Sequence, residues 1–311
     1  MSTNLWLGLS PLIILAVGTV LLMLVEALTR LRSEANESPS ESLAAGSAIT
    51  LLATAAVSSG LWLYGPERLD GLEKVAPYLI IDRLSLLYFI VLAIGGAFSA
   101  LLAGGYLPEY KLDRGEFYPL VLLSTLGAMA LSASADFMSI FVSLEIMSLG
   151  VYGMVAFRRG SPRSVEAALK YFLLGSFAAA ILLYGGALLY GATGHTDLAS
   201  IGAQIQQTAA SHPASMQQKA FQNATPIVLL GMVLVFAGLA FKISAVPFHM
   251  WTPDAYEGAP TPATTFMAVA VKSAAFALLV RIALVAFGDP KTAAWGSGWP
   301  AIIFALAVIT M

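Results

Sequence analysis

Cysteine is absent from the 311 residues of this chain. Its absence excludes disulfides, cysteine-ligated iron–sulfur clusters and thiolate zinc sites within this sequence. Only three histidines occur, His195, His212 and His249, and they do not form a metal-ligand pair at helical spacing. No P-loop, HExxH motif or catalytic-triad signature is present. We therefore predict that the chain holds no cofactor and no metal, and that any associated electron transfer takes place on other subunits.

Charged residues are also scarce. They make up 11% of the chain, against about 25% in an ordinary soluble domain. Apolar residues make up 58%, and the mean hydropathy is +0.81. This composition indicates a polytopic helical membrane protein. No basic patch interleaved with aromatic residues indicates a nucleic-acid partner.

Hydropathy predicts about nine transmembrane spans, the first of them retained because the N-terminus lacks a positively charged region and a cleavage signal. The spans lie at residues 5–27, 44–64, 84–105, 117–134, 137–157, 165–190, 225–249, 263–287 and 299–311. The last is shorter than the roughly 20 residues that a bilayer requires, so we expect the chain to end within a span. The loop 191–224 has room for a short surface helix. No linker separates two folded units, which predicts a single transmembrane domain over residues 1–311.

The loop charges predict an orientation. Arg158, Arg159 and Arg163 cluster between two spans, and positively charged loops lie preferentially on the cytoplasmic side. We expect this loop in the cytoplasm and the N-terminus on the outer side.

Four ionisable residues fall well inside predicted spans: Glu145, Lys170, Lys242 and Lys272. Each costs about 2.5–3.5 kcal/mol at the centre of a bilayer. They therefore require water, partners or a changed protonation state. A carboxylate and lysines that interact alternately can act as a proton switch, which makes these residues candidates for proton transfer.

Lys242 has a second unusual feature, the proline at position 247. Proline has no N–H, so the carbonyl of Ile243 loses its helical partner and the helix should kink or break near Pro247. In a membrane, irregular backbone persists only against protein or a water-filled cavity. An ionisable group beside such a break is a candidate ion site.

Less specific interpretations remain open for these residues. Lys170 could snorkel or pair with Glu166 one helical turn earlier, and Glu145 could be a static hydrogen-bonding residue. His249 would share a helix face with Lys242 and relay protons, or it would bond a freed carbonyl at the interface. Arg281 is expected to snorkel. The carboxylates near span ends, Glu26, Asp82 and Asp136, are expected to be solvated helix caps.

The segment Phe241–Pro262, FKISAVPFHMWTPDAYEGAPTP, closely resembles the antiporter-like membrane subunits of proton-pumping NADH:quinone oxidoreductase, respiratory complex I. Its WTPDAYEGAPTP form is similar to the subunit N type, the bacterial counterpart of mitochondrial subunit 2. The resemblance extends to LEIMSL at 144–149, EAALKY at 166–171 and KSAAF at 272–276.

This resemblance implies an all-α antiporter-like fold of about fourteen helices with broken transmembrane helices and two inverted five-helix repeats. Residues 117–287 would form the core of the first repeat. Glu145 matches the family's membrane glutamate, Lys242 the lysine of the first broken helix, Lys272 the central lysine and Lys170 a lysine of this subunit type. The family's last lysine would lie beyond Met311.

The function implied is that of a proton-translocating subunit in a bacterial inner (plasma) membrane, with no redox site of its own. Protons would enter from the cytoplasm near His249 and pass from Lys242 to Lys272. Its partners would be sister antiporter-like subunits, small helical subunits and lipid, with quinone reached only through the complex. Two alternatives remain open: a subunit of a multi-subunit Na⁺/H⁺ antiporter, and a passive membrane scaffold.

Overall fold

The computed structural model describes residues 3–32, 40–69, 71–210, 226–288 and 298–311, so His212 lies outside the described residues. Within these ranges the chain is helical and has no strands. The helices are α1 (Thr3–Arg32), α2 (Ser40–Tyr64), α3 (Arg83–Glu109), α4 (Phe117–Ala133), α5 (Phe137–Val155), α6 (Pro162–Thr193), α7 (Leu198–Ala210), α8 (Pro226–Ile243), α9 (Thr252–Gly258), α10 (Thr261–Ala286) and α11 (Trp299–Thr310).

Seven of these helices are long and apolar enough to cross a membrane, and α4 and α11 are shorter apolar helices. Together the nine coincide with the predicted spans, which confirms an all-α polytopic architecture. The loop 191–224, which has room for a short surface helix, contains one, α7. The span predicted at 225–249 is wrong at its end, because α8 stops at Ile243.

Local side-chain chemistry sets several helix ends. The carboxylate of Asp82 accepts from the backbone of Ser85, and the Ser85 hydroxyl accepts from the backbone of Asp82, so α3 begins with a capping box. At the start of α5, Asp136 caps the backbone of Met138 and accepts a 2.6 Å hydrogen bond from the Thr196 hydroxyl. Asp136 is buried. The expectation of a solvated cap is wrong there, because the loop after α6 covers it.

Helices α6 and α8 pack at close range. A Cβ placed on Gly185 of α6 would lie 2.7 Å from the carbonyl oxygen of Gly231 in α8. Because such an approach is tighter than any side chain tolerates, glycine allows the two backbones to touch. This contact matters for function because α8 carries Lys242.

Arg281 in α10 is buried and does not snorkel. Its two terminal nitrogens each donate a 2.9 Å hydrogen bond to Asp82, and its Nε donates to the carbonyl of Ser132. The snorkelling expectation is wrong because a planar guanidinium matches a carboxylate with two parallel bonds. Partial burial disfavours the charged form of Asp82, but the bonds from Arg281 and Ser85 outweigh it and lower the pKa of that carboxyl.

Candidate functional site

The break in the helix after Lys242 is present, and it begins before Pro247. Ser244 has a positive φ of 63°, and α8 ends at the residue before it. The carbonyl of Phe241 accepts hydrogen bonds from the backbone of Ser244 at 3.1 Å and from Nε1 of Trp251 at 2.9 Å. The irregular segment runs on to the start of α9. A buried indole therefore stabilises a helix end that has lost its regular partners.

His249 lies in this irregular segment and is exposed. The predicted helix face shared by His249 and Lys242 is wrong, because the left-handed backbone at Ser244 ends α8 between them. Pro247 is also exposed. The break thus lies at the molecular surface, whereas Lys242 lies just inside it.

Lys242 is fully enclosed: only 1% of the residue is exposed. Its Nζ donates a 2.8 Å hydrogen bond to the hydroxyl of Ser148 in α5. The same Nζ lies 5.8 Å from the ring centroids of both Tyr152 and Tyr171, within the range of a cation–π interaction. One hydroxyl and two aromatic faces therefore surround the amine in place of bulk water.

Glu145 approaches this amine from α5. It lies three residues before Ser148, so the two side chains share one face of the helix. Glu145 is partly buried and lies within electrostatic range of Lys242. Among the described residues no carboxylate forms a direct ion pair with Lys242. From the sequence we singled out Glu145 but not Ser148. The spacing of three residues, which places both side chains on one helix face, could have indicated Ser148.

Lys170 lies apart from this site, on the exposed side of α6. Its Nζ is 2.7 Å from Glu166 and 3.0 Å from Asp254 of α9. The pairing with Glu166 is the helix-surface interpretation considered from the sequence. Asp254 was missed, because no local pattern relates α9 to α6. The three residues form a charged cluster at one end of the bundle.

Lys272 lies in α10 directly after a π-helical segment, Met267–Val271. Such segments are rare and often occur at functional sites. Lys272 is partly buried, and its Nζ lies 5.7 Å from the ring centroid of Tyr256. Nothing in the hydropathy of this span predicted the π-helical segment.

Four aromatic residues connect the surroundings of Lys242 to those of Lys272. The rings of Tyr152 and Tyr171 meet edge to face at 4.9 Å, and Tyr171 stacks on Trp251 at 4.4 Å. Trp251 in turn meets Tyr256 at 6.2 Å. We call Tyr152, Tyr171, Trp251 and Tyr256 the aromatic chain. It places the two lysines at opposite ends of one continuous set of contacts.

A bundle of apolar helices with a broken helix and a buried amine beside the break defines the class of antiporter-like membrane proteins. The family model described as NADH:quinone oxidoreductase/Mrp antiporter, TM, matches residues 134–311. The chain belongs to this family, and the predicted antiporter-like fold is confirmed.

Individual relatives agree with this assignment. NADH-quinone oxidoreductase subunit N 1 of Sorangium cellulosum is 56% identical, over 98% of this chain and 59% of its own length. A chain of respiratory complex I from Thermus thermophilus with bound aureothin superimposes with a TM-score of 0.67 at 33% identity, covering 96% of this chain and 58% of that one. A chain of the Mrp complex from Dietzia sp. shares the fold, with a TM-score of 0.69 at 24% identity, over 92% and 50%. The chain thus spans less than two thirds of the length of these relatives.

Proposed function

We propose that this chain is part of a proton-translocating membrane subunit of NADH:quinone oxidoreductase, coupled to quinone reduction on other subunits of the complex. The sequence likeness to a relative named subunit N and the structural likeness to a complex I chain support this proposal. Its partners would be the other membrane subunits of that complex in a bacterial inner membrane. The observation that carries the proposal is the enclosed amine of Lys242 beside a broken helix, with Glu145 in electrostatic range.

The chemistry follows from the cost of a buried charge. A protonated amine in a low-dielectric interior is stabilised when a carboxylate approaches and destabilised when the carboxylate withdraws. Approach of Glu145 would therefore load Lys242 with a proton, and its withdrawal would release the proton towards Lys272. Moving one charge against 100 mV requires about 2.3 kcal/mol. That corresponds to roughly a 50-fold change in the proton-binding constant of the amine, since 1.36 kcal/mol is a factor of ten.

The remaining candidates take different places in this proposal. Protons would enter from the cytoplasmic side near His249, which lies exposed in the break. Lys170 would respond to its partners Glu166 and Asp254 and would influence the site from the surface of α6. The chain itself would carry no redox cofactor.

The test uses the full-length subunit in the assembled complex in native membranes. Lys242→Ala and Glu145→Ala should strongly lower the number of protons pumped per NADH oxidised while the complex still assembles. Lys111→Asn and Glu109→Ala are matched controls, since both side chains are exposed and asparagine tolerates the positive φ of Lys111. Wild-type pumping in both site variants would rule the mechanism out. Sodium-driven proton movement without NADH oxidation would favour the antiporter alternative.

A further inference from the structure

The short helix α9 is joined to the start of α6 by two ion pairs. Nζ of Lys170 lies 3.0 Å from the carboxylate of Asp254, and the guanidinium of Arg163 lies 2.8 Å from the carboxylate of Glu257. The two carboxylates are three residues apart in α9 and the two cations are seven apart in α6, so each set shares one face of its helix. The pairs therefore connect one face of α9 with one face of α6.

Close backbone packing lies between these ion pairs. A Cβ placed on Gly258, the last residue of α9, would overlap the side chain of Ala167 in α6 and lie 3.1 Å from the carbonyl oxygen of Arg163. Ala167 lies on α6 between Arg163 and Lys170. Glycine thus lets the backbone of α9 rest directly on α6, and the ion pairs hold it on both sides of this contact.

The start of α9 carries two groups that bond the end of α8. Trp251, directly before α9, accepts a 3.0 Å hydrogen bond on its carbonyl from the backbone of Ala255, so it belongs to the first turn of α9. Its indole donates to the carbonyl of Phe241. The hydroxyl of Thr252, the first residue of α9, donates a 2.8 Å hydrogen bond to the hydroxyl of Ser244.

These two bonds lie on either side of Lys242, since Phe241 precedes the lysine and Ser244 follows it by two residues. The carbonyl groups in the last turn of α8 have no regular partners within the helix, so they depend on such contacts. Movement of α9 away from α6 would withdraw both the indole and the hydroxyl. The last turn of α8 would then lose the contacts that keep the Lys242 amine beside Ser148.

We propose that Asp254 and Glu257 are positioning residues: their ion pairs hold α9 on α6, and α9 holds the end of α8 that carries Lys242. The inference deepens the proposed function and rests on it. Lys170 and Arg163 supply the counter-charges of this contact, so Lys170 acts through the position of Lys242 and carries no proton itself. Both pairs are exposed, and their substitution leaves no buried charge behind.

Reversing the charges of one pair tests the inference. In the assembled complex with the full-length subunit, Glu257→Arg and Arg163→Glu each place two like charges together. Each should lower the number of protons pumped per NADH oxidised by about two- to fivefold, since an exposed ion pair contributes up to about that factor. The double variant restores the pair with its signs exchanged and should recover pumping. Failure of the double variant to pump better than either single variant would overturn the inference.

The control for these variants is an ion pair of similar exposure that does not touch α9. Glu67→Arg breaks the pair with Arg83, in which both side chains are more than half exposed, as they are in the pair of Arg163 and Glu257. This variant should pump like the wild type. NADH oxidation with an artificial acceptor should stay at the wild-type rate in every variant, which shows that the complex is intact.

Substitution of Lys170 separates docking from proton transfer. Arginine at this position would keep the ion pairs with Asp254 and Glu166, but it does not release its proton. Methionine has a side chain of similar length without the charge. Lys170→Arg should therefore pump faster than Lys170→Met. Equal pumping in these two variants would contradict the docking role.

A substitution at Trp251 tests whether the ion pairs act through the end of α8. Trp251→Phe keeps an aromatic ring and removes the N–H that bonds Phe241. Once that bond is lost, Glu257→Arg has less left to disturb, so the two losses should not add when the variants are combined. Additive losses would overturn the inference. Thr252→Val, which removes the bond to Ser244, takes the place of Trp251→Phe if that variant does not assemble.

Lys242→Ala distinguishes failure of this inference from failure of the proposed function. If Lys242→Ala abolishes pumping while every ion-pair variant pumps at the wild-type rate, only this inference fails. If Lys242→Ala itself pumps normally, the proposed function fails, and the inference fails with it.

Discussion

At the scale of single residues, the hydrogen-bond partner of the Lys242 amine is an uncharged hydroxyl, that of Ser148. The buried amine is bonded to Ser148, while Glu145 acts over a longer distance. A serine hydroxyl both donates and accepts, so Ser148 accepts from the lysine while it donates to the carbonyl of Leu144 in its own helix. This arrangement leaves Glu145 free of a direct bond that would fix it beside the amine.

Removing this hydroxyl gives a first prediction. Ser148→Ala leaves the Lys242 amine without its polar partner, at a cost of about 1–3 kcal/mol. We expect slower proton pumping in the assembled complex, and recovery in Ser148→Thr, which restores the hydroxyl. Ser143→Ala is the control, since Ser143 is buried on the same helix and its hydroxyl contacts that of Ser134, not the amine of Lys242. Equal pumping in Ser148→Ala and Ser143→Ala would contradict this role.

The ion pair between Arg281 and Asp82 gives a second prediction. Asp82→Asn leaves a buried guanidinium without its counter-charge; because the Asp82 side chain is 40% exposed, the cost should lie below the roughly 3–5 kcal/mol of a fully buried pair. The melting temperature of the purified complex or of the detergent-solubilised subunit should fall. Glu67→Gln should change it little, since the pair of Glu67 and Arg83 is more than half exposed. Similar melting temperatures for the two variants would show that burial of the Arg281 pair is not stabilising.

The pH dependence of this pair follows from the direction of the pKa shift. The pKa of Asp82 is lower in the folded chain than in the unfolded one. Its stabilising contribution is therefore fully present above the ordinary aspartate range and is lost as the pH falls through the lowered pKa. Asp82→Asn should remove this part of the acid dependence, which pH titration of the melting temperature measures.

At the scale of elements, the sequence predicted that the helix breaks but not where. Pro247 predicts a break because proline has no N–H to donate to the preceding turn of the helix. The end of α8 depends on the left-handed backbone of Ser244 and on the indole of Trp251, which reaches back across the break. Neither is visible as a local pattern. The interpretation of His249 failed for the same reason, since it assumed a regular helix up to that residue.

The close packing of α6 against α8 gives a third prediction. A methyl group at Gly185 would overlap the backbone of Gly231, so Gly185→Ala should force the helices apart. Overpacking of this kind costs about 1–3 kcal/mol, and we expect less assembled complex and a lower melting temperature. Gly191→Ala lies on the same helix with open space around it and should be neutral or slightly stabilising. If both variants behaved alike, the contact would not hold the helices together.

At the scale of the whole molecule, the spans were predictable and the contacts between them were not. Hydropathy is a local property, so it located all nine apolar helices, with ends that differ by up to six residues. Pairs such as Lys242 with Ser148, or Arg281 with Asp82, join positions far apart in the chain. They depend on which helix faces which neighbour, and a single sequence does not contain that information. The fold class was therefore secure from the sequence, whereas the partners of the site residues needed the structure.

The orientation in the membrane is a fourth prediction, and the cysteine-free sequence makes it simple to test. The ends of α6 lie on opposite sides of the bilayer, so Gly160→Cys and His195→Cys should react with membrane-impermeant thiol reagents from opposite sides. Both positions are exposed. With the loop of Arg158, Arg159 and Arg163 in the cytoplasm, the cysteine at position 160 should be labelled from the cytoplasmic side only. The subunit without an introduced cysteine gives the background, and the reverse pattern would invert the assigned topology.

The ion pair between Arg281 and Asp82 restrains one part of α10. One end of this helix is tied to the start of α3, while the π-helical turn that precedes Lys272 holds its backbone in a wider winding. A second π-helical segment, Ile282–Ala286, follows Arg281 directly, so Arg281 lies between two stretches of wider winding. A slip of one residue in such a stretch swings a side chain by about 100° around the axis. Because Lys272 directly follows the first of these segments, such a slip would move its amine through a large arc while Arg281 stays bonded to Asp82.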